Sequence, residues 1–122
     1  MKFIMMEIND YQKAAKRTFV DLENSLLNDL HMVTGMVTES AEIADAYKKH
    51  FAYGKELDLV NIKEELGDIM WYIACMCELH DWDLRDIMAT NIAKLKARYP
   101  NKFTSENALN RDLKVERNIL EQ

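Results

Sequence analysis

Two pairs of acidic residues stand in stretches that are otherwise apolar, and each pair has helical spacing. Glu65 and Asp68 lie in "IKEELGDIMWYIACMC", residues 62–77, the most hydrophobic stretch of the chain. Glu39 and Glu42 lie in "GMVTESAEIADAY", residues 35–47, and are also three positions apart. Burying an ionised carboxylate without a partner costs several kcal/mol. The acids therefore predict that something in the interior compensates their charge.

Helical projection places both pairs on the inward side of their helices. At about 100° per residue, the members of each pair share one face, and that face is apolar. Exposed neighbours such as Lys63 and Glu64 point elsewhere. The apolar residues that share a face with the acids are Ile62, Ile69, Tyr72 and Met76 on one helix and Met32, Met36, Ile43 and Ala46 on the other.

A divalent cation resolves the repulsion among four converging carboxylates. Without one, like charges drive protons back onto some of the acids. Oxygen ligands without Cys or His favour Mg²⁺, with Mn²⁺ as a substitute. A single Glu-x-x-Glu on a helix is common and usually marks a charged surface, so the metal interpretation depends on both pairs. It predicts four metal ligands, namely Glu39, Glu42, Glu65 and Asp68.

A cationic stripe follows in "NIAKLKARYP", residues 91–100. Asn91, Lys94 and Arg98 fall at i, i+3 and i+7, and the stripe also contains apolar residues, so it leans inward. These cations either neutralise the acids directly or bind an anion that itself binds the metal. Mg²⁺ beside Lys and Arg is typical of phosphoryl chemistry. The chain contains no G-x-x-x-x-G-K-[ST] loop, so metals and side chains would have to hold the phosphates.

The elements that position these residues are predicted to be helices. Only three Gly and one Pro among 122 residues argue against a multi-turn β fold. We expect a single domain, 1–122, with an all-α, four-helix bundle-like core at about 8–100 and a carboxyl-terminal arm at about 101–122. The predicted helices are 8–19 capped by Asn9 or Asp10, about 24–50 interrupted at Gly35, about 59–80 capped by Asp58, about 84–98 capped by Asp83, and a short one near 110–120.

Charge and hydropathy exclude some classes of protein. The net charge is −5, and no basic stripe is visible beyond the short one at residues 91–98, which argues against a binder of duplex nucleic acid. The apolar patch "FIMM", residues 3–6, is too short for a signal or a membrane span. Cys75 and Cys77 point about 200° apart on a helix, so they are expected to be buried thiols in a reducing compartment. We therefore predict a cytoplasmic protein without a membrane partner.

Taken together, the motifs resemble those of the MazG-like all-α nucleoside triphosphate pyrophosphohydrolases. Glu39-x-x-Glu42, a spacer and Glu65-x-x-Asp68 are similar to the family signature, and "EELGDIMWYIA" and "NIAKLKARYP" are similar to two of its blocks. The resemblance covers about residues 10–118 and is strongest for short single-domain members. It implies Mg²⁺-dependent cleavage of a nucleoside triphosphate between the α and β phosphates, and a homodimer or a tetramer built as a dimer of dimers.

The resemblance also implies roles for individual residues. The four acids would hold metal, and either Glu39 or Glu42 would accept the proton of the attacking water. Asn91, Lys94 and Arg98 would bind the substrate phosphates. Tyr72 shares the face of Asp68 and is a candidate contact for the base or sugar, with core packing as the alternative.

Other functions compete with this interpretation. Within the same superfamily, the alternative is a phosphoribosyl-ATP pyrophosphohydrolase, which the tail and the loop near residue 54 fit less well. From a different class, the acids could belong to a non-catalytic bundle that only binds metal, or only pairs with Lys94 and Arg98. A ferritin-like di-iron site would need Glu-x-x-His, which the three His do not provide. "HD" at His80-Asp81 is a weak match to HD-type phosphohydrolases.

Overall fold

The computed structural model describes residues 6–122, and these residues form helices and connecting segments without a strand. The apolar patch at residues 3–6 lies, except for Met6, outside the described residues. The prediction of an all-α chain is confirmed. The helices are α1 Ile8–Lys16, α2 Ser25–Tyr53, α3 Leu59–Leu79, α4 Leu84–Arg98, α5 Ser105–Leu109 and α6 Leu113–Leu120.

Helix α1 has an earlier N-cap than predicted, and it also ends earlier. The N-cap is Glu7 rather than Asn9 or Asp10, and its side chain makes no capping bond. The backbone N–H of Tyr11 donates to the carbonyl of Glu7, so the first helical bond forms before either predicted cap. At the other end, the N–H groups of residues 17–19 bond three residues back, which tightens the last turn and ends the helix at Lys16.

The prediction that Gly35 interrupts the second helix is wrong, because α2 runs unbroken through it. Gly35 is buried, and a Cβ at this position would collide with the ring of Tyr72. The glycine therefore permits close packing between α2 and α3 rather than marking a break. The real end is Gly54, whose φ of 69° lies in the left-handed region and whose N–H bonds to the carbonyl of His50.

The caps predicted for α3 and α4 are confirmed. The carboxylate of Asp58 accepts bonds from the N–H groups of Val60 and Asn61, and that of Asp83 accepts one from Arg85. Helix α4 ends at Arg98, two residues before Pro100, as the restriction on residues preceding proline requires. Helix α5 was not predicted; it is one short turn capped by Thr104.

The chain contacts cluster into two compact units, one ending at Trp82 and the other spanning Asp83–Gln122. In the first unit, α1 and α2 both pack against α3. The indole N–H of Trp71 donates to the carbonyl of Ala15 at 2.9 Å and so ties α3 to α1. The buried core of this unit consists of Ala15, Met32, Ala74 and Cys75.

In the second unit, α4 packs against α6. The prediction of one domain for the whole chain stays a prediction. No described helix is both long and apolar enough to cross a membrane.

Candidate metal centre

Helices α2 and α3 bring three of the four predicted acids together. A short connection, residues 54–58, makes the two helices neighbours. Carboxylate oxygens of Glu39 and Glu42 from α2 and of Glu65 from α3 all lie within 4.8 Å of one another. We refer to these three residues as the acid cluster. Each side chain is there because helical spacing turns an acid toward the facing helix.

Glu65 is the buried member of the acid cluster. It is 5% exposed, and its buried Oε2 atom receives no hydrogen bond from a donor among residues 6–122. A hydrogen bond that the protonated acid can share with Glu39 is the largest cause of an upward shift in its pKa, followed by burial and by Glu42; together they raise the pKa of Glu65 to about 8. Without a cation, the cluster therefore holds a proton at neutral pH.

The donor set of the acid cluster fits a hard divalent cation. All three residues supply carboxylate oxygens, and one of them, Oε2 of Glu65, is buried with no hydrogen-bond donor beside it in the described part of the chain. Two oxygens on the same Mg²⁺ lie at most about 4.2 Å apart, twice the Mg–O distance. The oxygens of the acid cluster lie within 4.8 Å of one another, so small side-chain rotations could bring them within reach of one cation.

Asp68 belongs to a second group that shares Glu65. Oxygens of Glu64, Glu65 and Asp68 also lie within 4.8 Å of one another. Glu64 is exposed, as its position on the helical wheel predicts, yet its carboxylate reaches this group. Helical periodicity does not predict that Glu64 joins this group. The length of the glutamate side chain, and not the direction of its Cβ, brings the carboxylate close to Glu65 and Asp68.

A cavity of 510 Å³ adjoins the acid cluster at the closed end of the α2–α3 hairpin. This volume falls in the range of about 300–1,000 Å³ that small-molecule sites occupy. No sequence pattern predicts this cavity, because its walls come from two helix ends and their loop. It is lined by Glu42, Asp45, Ala46 and Lys49 of α2, by Lys55, Glu56 and Asp58 of the connection, and by Asn61 and Glu65 of α3.

Charges in this cavity are partly neutralised by local pairs. The Nζ atom of Lys49 lies 2.8 Å from Asp45, and that of Lys48 lies 3.2 Å from the same carboxylate. The hydrogen bonds from both lysines, first of all that of Lys49, lower the pKa of Asp45. Of the two lysines, only Lys49 lines the cavity.

Tyr72 packs in the core of the first unit. Its ring meets Trp71 edge to face with centroids 5.0 Å apart and meets His31 in the same way at 5.9 Å. It also covers Gly35. Packing thus accounts for most of this side chain, and its contact with substrate stays a prediction.

The predicted cationic stripe lies on α4, in the second unit. Asn91 is exposed, while Lys94 and Arg98 are half-buried. Arg98 is already engaged, because its Nη2 lies 2.6 Å from Oε1 of Glu116 on α6. The sequence analysis missed Glu116, which stands in a charged tail without a distinguishing pattern.

Comparison with known proteins relates the chain to a family and to a phage protein. The sequence model of a family described as "MazG nucleotide pyrophosphohydrolase domain" matches residues 28–103. The "Gene 37 protein" of Mycobacterium phage L5 is 32% identical over 106 aligned positions, and the match covers 76% of this chain and 89% of that protein. No solved structure matches. The matched segment contains α3 and α4 and most of α2, and it ends before α5.

Proposed function

Because this chain belongs to the MazG nucleotide pyrophosphohydrolase family, we propose that it is a Mg²⁺-dependent enzyme acting on nucleoside triphosphates. It cleaves an NTP or dNTP between the α and β phosphates and releases the monophosphate and pyrophosphate. The observation that supports this most is the acid cluster, in which no described residue donates a hydrogen bond to the buried Oε2 atom of Glu65. Such an oxygen is expected where a cation is to be bound.

In this proposal the acids bind the metal, and Glu42 accepts the proton of the attacking water. Glu39, Glu42, Glu65 and Asp68 are the ligands. When bound, Mg²⁺ neutralises charge on the phosphate oxygens and lowers the pKa of water. Glu42 lines the cavity and Glu39 does not, which favours Glu42 as the acceptor of the proton from the attacking water.

The phosphates of the substrate are assigned in this proposal to the polar stripe of α4. Lys94 and Arg98 neutralise charge on the phosphates, and Asn91 donates a hydrogen bond to them. Arginine binds phosphate oxygens through two parallel N–H groups, which fixes orientation as well as charge.

The cavity is proposed to receive the nucleoside part of the substrate. Beyond the acid cluster its walls carry three carboxylates, from Asp45, Glu56 and Asp58, and two lysines, which is unfavourable for bare phosphates. Ribose hydroxyls and base N–H groups can instead donate to such carboxylates. Lys49 and the amide of Asn61 can meet acceptors on the base.

Lys49→Met is expected to lower kcat/KM for nucleotides about tenfold, the effect of losing one or two hydrogen bonds. Inhibition by inorganic tripolyphosphate should stay unchanged, because that inhibitor lacks a nucleoside. Lys48→Met is a matched control, since Lys48 pairs with the same Asp45 and is 56% exposed against 48% for Lys49. Equal losses in the two variants, or weaker tripolyphosphate inhibition in Lys49→Met, would contradict this placement.

We further propose that two copies of the chain associate through α2, as a homodimer or as half of a tetramer. Four exposed apolar residues follow one another at helical spacing and form a stripe on this helix, and contiguous apolar surface of this kind is typical of interfaces. We call it the α2 stripe; it consists of Leu26, Leu30, Val33 and Val37.

Val37→Lys is expected to dissociate the oligomer, because each copy would place a charge in a closely packed apolar contact. Val37 is 63% exposed in the single chain, and Val20, which is 64% exposed, lies outside the stripe and provides a matched control. Light scattering coupled to size exclusion should show the mass of the wild type for Val20→Lys and a smaller mass for Val37→Lys. A wild-type protein that elutes as a monomer would refute the proposal.

Product analysis tests the proposed reaction itself. The protein is incubated with a panel of NTPs and dNTPs in Mg²⁺, and pyrophosphate and orthophosphate are measured separately, with a chelator control. Monophosphate and pyrophosphate, lost on chelation, are expected. Orthophosphate alone would indicate a different phosphohydrolase. No turnover would favour phosphoribosyl-ATP as the substrate, to be tried next, and then a metal-binding bundle without catalysis.

A further inference from the structure

Two arginines of the second unit converge on one buried carboxylate. The side chain of Glu116 on α6 is 5% exposed. Its oxygens accept bonds from Arg98 at 2.6 and 3.3 Å and from Arg111 at 2.7 and 3.2 Å. The bonds from Arg111, and then those from Arg98, lower the pKa of Glu116 to about 2, so the acid is ionised at any working pH. The three charges sum to +1.

The contact with Glu116 orients the guanidinium of Arg98 but leaves some of its N–H donors for another partner. A guanidinium has five N–H donors, and Glu116 occupies one on Nε and one on Nη2. Both donors of Nη1 and one of Nη2 are left over by this contact. The adjoining ring of Tyr99, 5.7 Å from the guanidinium carbon, supports it from another side. A guanidinium that is held by its Nε and Nη2 atoms presents its remaining N–H groups in a fixed direction.

We propose that Glu116 is a positioning residue that fixes Arg98 for an oxyanion of the substrate, so that the carboxyl-terminal helix α6 sets the affinity for phosphate. The inference rests on the proposed function, which assigns Arg98 to the phosphates. Glu116 lies beyond residue 103, where the match to the family ends. An arginine already held in place loses less conformational entropy when an anion binds.

The test compares Glu116→Gln with Arg111→Gln. Glutamine keeps the shape of Glu116 but cannot accept two parallel hydrogen bonds from the guanidinium of Arg98. We expect KM for the best nucleotide, and the inhibition constant of inorganic tripolyphosphate, both to rise about tenfold, with kcat within about twofold. Arg111→Gln removes a partner of Glu116 but leaves its contact with Arg98, so KM should stay at the wild-type value. Glu116→Asp keeps the charge and should restore part of the affinity.

The outcomes separate positioning from two other roles. Lower thermal stability of Glu116→Gln with unchanged KM would mean that the ion pairs of Glu116 only hold α6 in place. A lower KM would mean that Glu116 competes with phosphate for Arg98. Either result overturns the proposal. If Glu116→Gln fails to fold by circular dichroism, the comparison of Glu116→Asp with Arg111→Gln decides it. If the wild type turns over no nucleotide, the proposed function fails separately, and calorimetry of tripolyphosphate binding in Mg²⁺ still tests the positioning.

Discussion

Glu65→Gln is expected to abolish turnover and, at the same time, to raise the melting temperature of the metal-free protein at pH 8.5. Loss of a residue that merely orients a metal ligand lowers activity about 10–100-fold, so loss of a ligand should cost at least about a hundredfold. The gain in stability has a different cause. Glutamine is a permanent mimic of the protonated acid, and it removes the repulsion from Glu39 and Glu42 that ionisation of Glu65 creates at this pH.

The two effects are measured by nucleotide turnover in Mg²⁺ and by thermal unfolding in chelator. Glu106→Gln is the control, because Glu106 is an exposed glutamate of α5 outside both acid groups. It should change neither quantity. A lower melting temperature for metal-free Glu65→Gln would instead mean that the carboxylate serves as an ionised partner in the fold. That result would favour a salt-bridged core over a metal site.

Stabilisation of the protein by Mg²⁺ is expected to grow as pH rises from 5.5 to 8.5. The pKa of Glu65 is about 8 in the metal-free fold, above its ordinary value of 4.5. Because the pKa of Glu65 is higher in the folded than in the unfolded protein, this residue stabilises the fold fully at pH values below its unfolded-state pKa. This contribution is lost as pH rises through about 8. The metal-free protein should therefore lose stability over this range. Mg²⁺ has to displace the proton at the low end and meets an ionised ligand at the high end, so its effect increases.

Melting temperatures in chelator and in 10-fold steps of Mg²⁺ at several pH values measure this linkage. The acid Glu116 does not interfere, because its lowered pKa confines its own contribution to losses below about 4.5. Glu65→Gln provides the background from all other titrating groups and should show a much smaller increase with pH. A Mg²⁺ effect of the same size at pH 5.5 and 8.5 in the wild type would exclude Glu65 as a ligand that must lose a proton.

The sequence by itself determined the local structure and the family. The positions of α3 and α4 follow from Asp58, Asp83 and Pro100, which act on the backbone within a few residues of themselves. The spacing of Glu39, Glu42 and Glu65 was also readable, because helical periodicity fixes which residues share a face. The misplaced N-cap of α1 and the supposed break at Gly35 show the limit of this reasoning. At Gly35, a distant side chain, that of Tyr72, decides what the residue is for.

Only the tertiary structure decided which groups the charged side chains contact. The raised pKa of Glu65 depends on two carboxylates from another helix, and the cavity depends on two helix ends and their loop. Arg98 has the spacing of a phosphate ligand, yet its partner Glu116 stands eighteen residues away in the chain. Burial and charge pairing are properties of contacts between segments, and a helical pattern specifies only the face that each segment presents.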